Sequence, residues 1–78
     1  MDIKQLKNFV VIVESDFNLS ETSKKIHISQ PALSQMFLHF EREENIELFK
    51  RSNGRLQSLT PAGENFYYTA IELLKQYE

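Results

Sequence analysis

No cysteine occurs in this 78-residue chain, which excludes disulfides and thiolate metal sites. Two histidines with no carboxylate cluster beside them leave no basis for a structural metal, and no cofactor is expected. No apolar run approaches the length that spans a bilayer, and the N-terminus lacks a signal-peptide pattern. A soluble, cytoplasmic protein with no membrane contact is therefore expected. Internal repeats, low-complexity stretches and flexible linkers are also missing, so one small domain with one core is predicted. An excess of positive charge is lacking as well. The net charge of −2 weighs mildly against nucleic acid as a partner.

What is present qualifies that last exclusion. Glu41, Glu43, Glu44 and Glu47 cluster together, and Glu64, Glu72 and Glu78 lie far down the chain. Lys24, Lys25, Lys50, Arg51 and Arg55 sit on separate segments that would flank a groove. Phosphate contact is local on the scale of a Debye length, so distribution outweighs the sum. Hydrophobic residues make up 41% of the chain, with six Phe and three Tyr, enough to build a core.

The chain is organised around Ser29-Gln30-Pro31-Ala32-Leu33-Ser34-Gln35. Ser29 is a good N-cap, and Pro31 falls in the first turn, where its missing N–H costs nothing. Leu33, Phe37, Phe40 and Glu44, with Met36 beside them, follow at helical spacing and predict one stripe on a helix of roughly fifteen residues. The opposite face carries Gln30, Ser34, Gln35, Leu38, His39 and Arg42. It is uncharged at its start and rich in groups that both donate and accept hydrogen bonds. That chemistry reads base edges in a DNA major groove, so this segment is read as a recognition helix.

The rest of the chain frames it. A first helix is predicted from about Asp2 to Ser15, buried through Ile3, Leu6, Phe9, Val10 and Val13, widened by Val11 and Ile12, and wet at Lys4, Lys7, Asn8 and Glu14. Asp16-Phe17-Asn18 reads as a turn with Phe17 inward. Ser20 is the expected N-cap of a short helix from about Glu21 to Ile26, with Leu19 as a hydrophobic staple. Thr22, Ser23 and Ile26 should face inward, the two hydroxyls bonding back to the preceding turn. His27-Ile28-Ser29 then gives a three-residue link, the helix-turn-helix pattern, with His27 or a neighbour in the strained turn conformation. Asn45 is the expected left-handed end of the recognition helix, with Ile46 folding back. Leu48–Arg51 and Leu56–Leu59 read as short strands around Asn53-Gly54, a strong hairpin signal. Such a hairpin is a wing, with Arg51 and Arg55 at its tip and in reach of a phosphate or a minor groove. Thr60-Pro61-Ala62-Gly63-Glu64 starts a last helix that continues to the final residues. Its apolar residues Ala62, Gly63, Phe66, Tyr67, Ala70, Ile71, Leu73, Leu74 and Tyr77 cover about half its circumference, more than the ordinary stripe of about 100°. A small body cannot cover that face, and a second copy is the simplest partner.

Three functional classes bear on this pattern. An enzyme is not expected: neither His27 nor His39 has a nucleophile and an acid spaced to partner it. A protein-interaction module, which pairs with a full-length regulator through the last helix, is the alternative to DNA binding and fits the acidic balance. DNA binding fits the outer face of the recognition helix.

With these residues in place, a family resemblance stands out. The run from Leu19 to Ser34, the segment Leu48-Phe49-Lys50-Arg51 and the segment Leu59-Thr60-Pro61-Ala62-Gly63 together resemble the N-terminal domain of LysR-type transcriptional regulators, a bacterial-type transcription factor family. The resemblance spans nearly the whole chain. It implies a mainly α fold: a winged helix-turn-helix of three helices and a small β-hairpin over residues 1–59, then a long linker helix over 60–78. It implies sequence-specific promoter binding, with double-stranded DNA as partner and a homodimer formed through the C-terminal helix by Phe66, Tyr67, Ala70, Ile71, Leu73, Leu74 and Tyr77. A small-molecule effector is implied only if a further C-terminal domain exists. Ser29, Gln30, Pro31 and Ser34 match positions that touch DNA, Arg51 matches a wing arginine, and Arg55 lies in the wing loop. Ser20, Lys24, Lys25, Gln35, Leu38, His39 and Arg42 complete the expected contact set. Thr22 and Ser23 replace a usual Ala pair, Asn45 replaces a Gly, and Gln35, Leu38 and His39 stand where Arg or Lys is common. Fewer phosphate contacts imply a shallower salt dependence.

Overall fold

The computed structural model describes residues 1–77. The chain runs α1 (Ile3–Glu14), α2 (Leu19–Ile26), α3 (Gln30–Glu44), β1 (Phe49–Ser52), β2 (Arg55–Leu59) and α4 (Pro61–Tyr77). This is the expected winged helix-turn-helix, with a fourth, long helix. The expectation that the last helix continues into Glu78 falls outside the described residues. Among the described residues no helix is long and apolar enough to cross a membrane.

α1 starts on a reciprocal cap. The Gln5 N–H donates to Asp2 Oδ1 (2.8 Å), and the Asp2 N–H donates to Gln5 Oε1 (3.2 Å). Its buried arc is rotated from the expected one and centres on Phe9 and Ile12. Asn8, expected on the wet face, is carried under with that arc, and its amide lies 4.0 Å from the Met36 thioether of α3. Ile3, Val10 and Val13 are left half-buried.

Asp16 and Phe17 both take positive φ, which reverses the chain and turns Phe17 onto the core. The reversal delivers Asn18, not Ser20, to the cap of α2. Asn18 Oδ1 accepts from the Glu21 N–H at 2.9 Å. α2 therefore begins at Leu19, earlier than expected, and Ser20 lies within its first turn. Thr22 is fully buried and bonds back to the Asn18 carbonyl (2.9 Å), and Ser23 bonds back to the Ser20 carbonyl (2.8 Å).

His27 takes the left-handed conformation (φ 58°) that the sequence predicts, and the Ile28 N–H then reaches the Ser23 carbonyl at 3.2 Å. Ser29 Oγ accepts from the Ala32 N–H, and Pro31 lies in the first turn of α3. Asn45 ends α3 in the same way as His27 ends α2 (φ 53°), with the Ile46 N–H on the Glu41 carbonyl. Asn and His thus supply turns that Gly usually makes.

The hairpin turns at Asn53-Gly54 with φ of 53° and 76°, the two positive values a tight two-residue loop needs. Ser52 pairs with Arg55 and Phe49 with Leu59, while Gln57 forms an extra residue opposite the Lys50/Arg51 step. Thr60 Oγ accepts from the Gly63 N–H (2.9 Å), while its hydroxyl donates to the Glu47 carbonyl. Gly63 is needed here. A Cβ at that position would lie 2.1 Å from the Leu48 carbonyl oxygen.

Phe9, Ile12, Leu33, Phe37, Leu48 and Phe49 form the core. Phe37 and Phe49 meet edge to face at 5.9 Å. α4 packs along α1, burying Ala70 fully, with Phe66 edge-on to Phe9 at 5.1 Å. The Tyr67 hydroxyl donates to Glu14 across this contact (3.4 Å), and partial burial followed by the Glu14 charge raises the phenol above its ordinary pKa.

Candidate nucleic-acid interface

The helix-turn-helix presents one polar face. Leu33, Phe37 and Glu41 face the core, and Met36 and Phe40 flank them. That leaves Gln30, Pro31, Gln35, Leu38, His39 and Arg42 exposed along the length of α3, with Ser34 half-buried at the edge. Leu38 is 36% exposed, enough to offer an apolar contact without being a second core residue.

Two clefts flank this face. One, of about 540 Å³, lies between the α1–α2 turn, the start of α3 and the wing, and brings Ser20, Gln30 and Arg55 together. The other, of about 760 Å³, lies between the end of α3, the wing base and the start of α4, and collects Gln35, Leu38, Arg42 and Arg51. Seven of the expected contact residues thus line two hollows on either side of one helix. Ser29, exposed at the α3 cap, and Lys24, exposed on the last turn of α2, lie near the first of them in the chain.

Two expected bases are held in intramolecular ion pairs. Lys25 donates to Ser15 Oγ (2.9 Å) and pairs with Glu21 (3.3 Å), so its ammonium is tied to the α1 end of the molecule. Arg51 is not at the wing tip. It lies on β1, reaches back to Glu41 at 2.7 Å and sits over the Phe49 ring at 5.8 Å. Arg55 alone of the pair adjoins the Asn53-Gly54 turn.

Glu41 is the residue that sequence reasoning misplaced. Grouped in the sequence with Glu43, Glu44 and Glu47, it is only 7% exposed. Its Oε2 accepts from the Leu48 N–H (2.6 Å) and the Phe49 N–H (3.2 Å), and its Oε1 from Arg51 Nη2. Every bond joins α3 to the entry of the wing. The signal was available: Leu33, Phe37 and Glu41 are spaced by four, and the stripe continues through Glu41 instead of the exposed Glu44.

The residues expected on the dimer face divide. Ala70 is buried in the chain's own fold, and Phe66 and Tyr67 contact Phe9. Ile71 and Leu74 are half-buried, whereas Leu73 (45%) and Tyr77 (64%) remain exposed. Tyr68, not expected there, is 66% exposed. The Lys7 ammonium lies over the Tyr77 ring at 5.6 Å.

The family model described as "Bacterial regulatory helix-turn-helix protein, lysR family" matches residues 3–64. The chain is 37% identical over 76 residues to the HTH-type transcriptional regulator CysB of Thiocapsa roseopersicina, covering 97% of this chain and 56% of that protein. It is 35% identical over 78 residues to the HTH-type transcriptional regulator BsdA of Bacillus subtilis, of which it spans 27%. The chain therefore covers between about a quarter and a half of these relatives' length. Among solved structures, a BenM DBD–catB site 1 DNA complex superposes with a TM-score of 0.85 at 34% identity, covering 99% of this chain and 81% of that one. A CbnR DBD–DNA complex superposes with a TM-score of 0.84 at 30% identity, with coverage of 99% and 86%.

Proposed function

The chain belongs to the lysR family of bacterial regulatory helix-turn-helix proteins, and from that premise we propose that it binds duplex DNA in a sequence-specific manner as a dimer and regulates transcription. Residues 1–59 act as the DNA-binding unit and residues 60–78 as linker and dimerisation helix. The observation that carries this reading is the exposed face of α3, bordered by the two clefts. Two of its relatives in fold are DNA complexes.

In this reading the face enters the major groove. Gln30 reads adenine through its amide or another base edge less strictly, and Ser34 and Gln35 hydrogen-bond bases or phosphate. Pro31 and Leu38 meet thymine methyl groups. Ser20, Lys24, Ser29, His39, Arg42 and Arg55 hold the backbone and set the register. Lys25 and Arg51 contribute charge from the anchored positions described above. Leu73 and Tyr77, with Ile71 and Leu74 beside them, form the strip on α4 that a second copy covers. Two copies about a two-fold axis call for a roughly palindromic site.

Fluorescence anisotropy of Gln30→Ala on a preferred duplex and on a panel of scrambled sites tests the base-reading role. The expected loss is about 1–3 kcal/mol on the preferred duplex, with a relaxed preference across the panel. Equal binding by variant and parent on every duplex rules that role out.

A further inference from the structure

We propose that Glu41 is a positioning residue for DNA binding: a buried carboxylate that locks the wing to the recognition helix, so that Arg55 contributes to binding only while this lock is closed. The inference rests on the DNA-binding reading above and extends it to a residue that touches no DNA.

The geometry is specific. One carboxylate on α3 accepts three N–H groups, all from residues 48–51. The Leu48 N–H and Phe49 N–H share Oε2, which fixes the peptide planes where the chain enters β1. The Arg51 guanidinium takes Oε1 and rests over the Phe49 ring, bracing the strand one step further along. The Leu48 carbonyl faces the other way and accepts from the Thr60 N–H (3.0 Å), so β2 is held at its exit by the same peptide. Both ends of the hairpin are thereby referred to one side chain of α3.

Elsewhere the wing is attached through the half-buried Leu56 and Leu59, which pack against the core. Beyond Phe49 the residues of β1 and the turn are exposed, and β2 is at most half-buried. A two-stranded hairpin has little stability of its own. Its orientation relative to Gln30 and Gln35 therefore comes from these two apolar contacts and from the hydrogen-bonded base, and only the base has the directionality to fix it. A carboxylate that accepts several N–H bonds in a mostly buried setting is a stiff anchor, because leaving those donors unpaired is costly. The geometry explains why Arg51, though basic and on the wing, is turned inward: it completes the anchor.

The test is a double-mutant cycle on the full chain, read as duplex affinity. In the parent background Arg55→Ala should weaken binding roughly fivefold, the scale of an exposed charge contact. In the Glu41→Ala background the same change should cost less than about twofold, because both amide bonds and the Arg51 brace are gone and the wing no longer holds Arg55 in place. Gln30→Ala is the control, and should cost roughly tenfold in both backgrounds, since a bidentate base contact depends on α3 alone. A purely structural role for Glu41 would lower stability but leave the Arg55 factor unchanged. Should Glu41→Ala not fold, the cycle is run in Glu41→Asp, whose shorter side chain draws the carboxylate back from the Leu48 and Phe49 N–H groups while keeping its charge. Any direct DNA contact by Arg51 cancels in the cycle. A parent that binds while Arg55→Ala costs the same factor in every background overturns the lock and leaves the functional reading standing. A parent that binds no duplex overturns that reading and the lock with it.

Discussion

The base and the tip of the wing are built on opposite principles. At the base, Glu41, Leu48, Phe49, Thr60 and Gly63 exchange hydrogen bonds within a mostly buried junction where even a methyl group has no room. At the tip, Asn53-Gly54 turns the chain in solvent, a Cβ on Gly54 would meet nothing, and Arg55 is exposed. The contrast teaches where each property resides. On the proposed reading, stability and aim belong to the base and DNA contact to the tip. Changes at the base should appear first in unfolding, and changes at the tip only in binding.

The strongest way to break this contrast is Glu41→Ala. It strands the two amides and the Arg51 guanidinium at a partly dry junction, and should lower stability by about 3–5 kcal/mol in urea unfolding. A loss under about 1 kcal/mol would place Glu41 among ordinary surface acids. Gly63→Ala follows. The added Cβ meets the Leu48 carbonyl, so α4 must shift from β1, at a cost of about 1–3 kcal/mol by the same measurement. At the tip, Arg55→Ala should leave unfolding within about 0.5 kcal/mol of the parent. It should weaken DNA binding about equally on all sequences and make the salt slope shallower by about one unit.

The same contrast separates what the sequence makes legible from what it does not. Features decided within a few residues were readable: the Ser29 cap with Pro31, the left-handed His27 and Asn45, the Asn53-Gly54 turn and the Thr60-Pro61 start of α4. Each follows from backbone chemistry that neighbouring residues settle. The α2 cap shows where this runs short. Asn18 and Ser20 are equally good caps, and the positive-φ pair Asp16-Phe17 decides between them. Features decided across the fold were not readable. Asn8 is buried because α1 is rotated under α3, which only packing fixes. Glu41 sits in a run of acids, and its partners are brought to it by the α3 turn and the strand. Ala70 looks like any residue of a wide apolar face until α1 is seen to cover it.

The outer face of α3 is itself a long-range product: it is exposed because Leu33, Phe37 and Glu41 claim the other side. Local propensity made the helix, and packing chose the face. The central claim is that this face, paired with its copy in a second chain, selects particular DNA sequences. Selection of bound duplexes from a random pool measures that directly. One enriched motif with two inverted half-sites on the same side of the helix is expected, with its preference relaxed at the position Gln30 reads when the pool is selected with Gln30→Ala. Enrichment of no sequence over the starting pool, at any salt concentration where the chain remains folded, would contradict it.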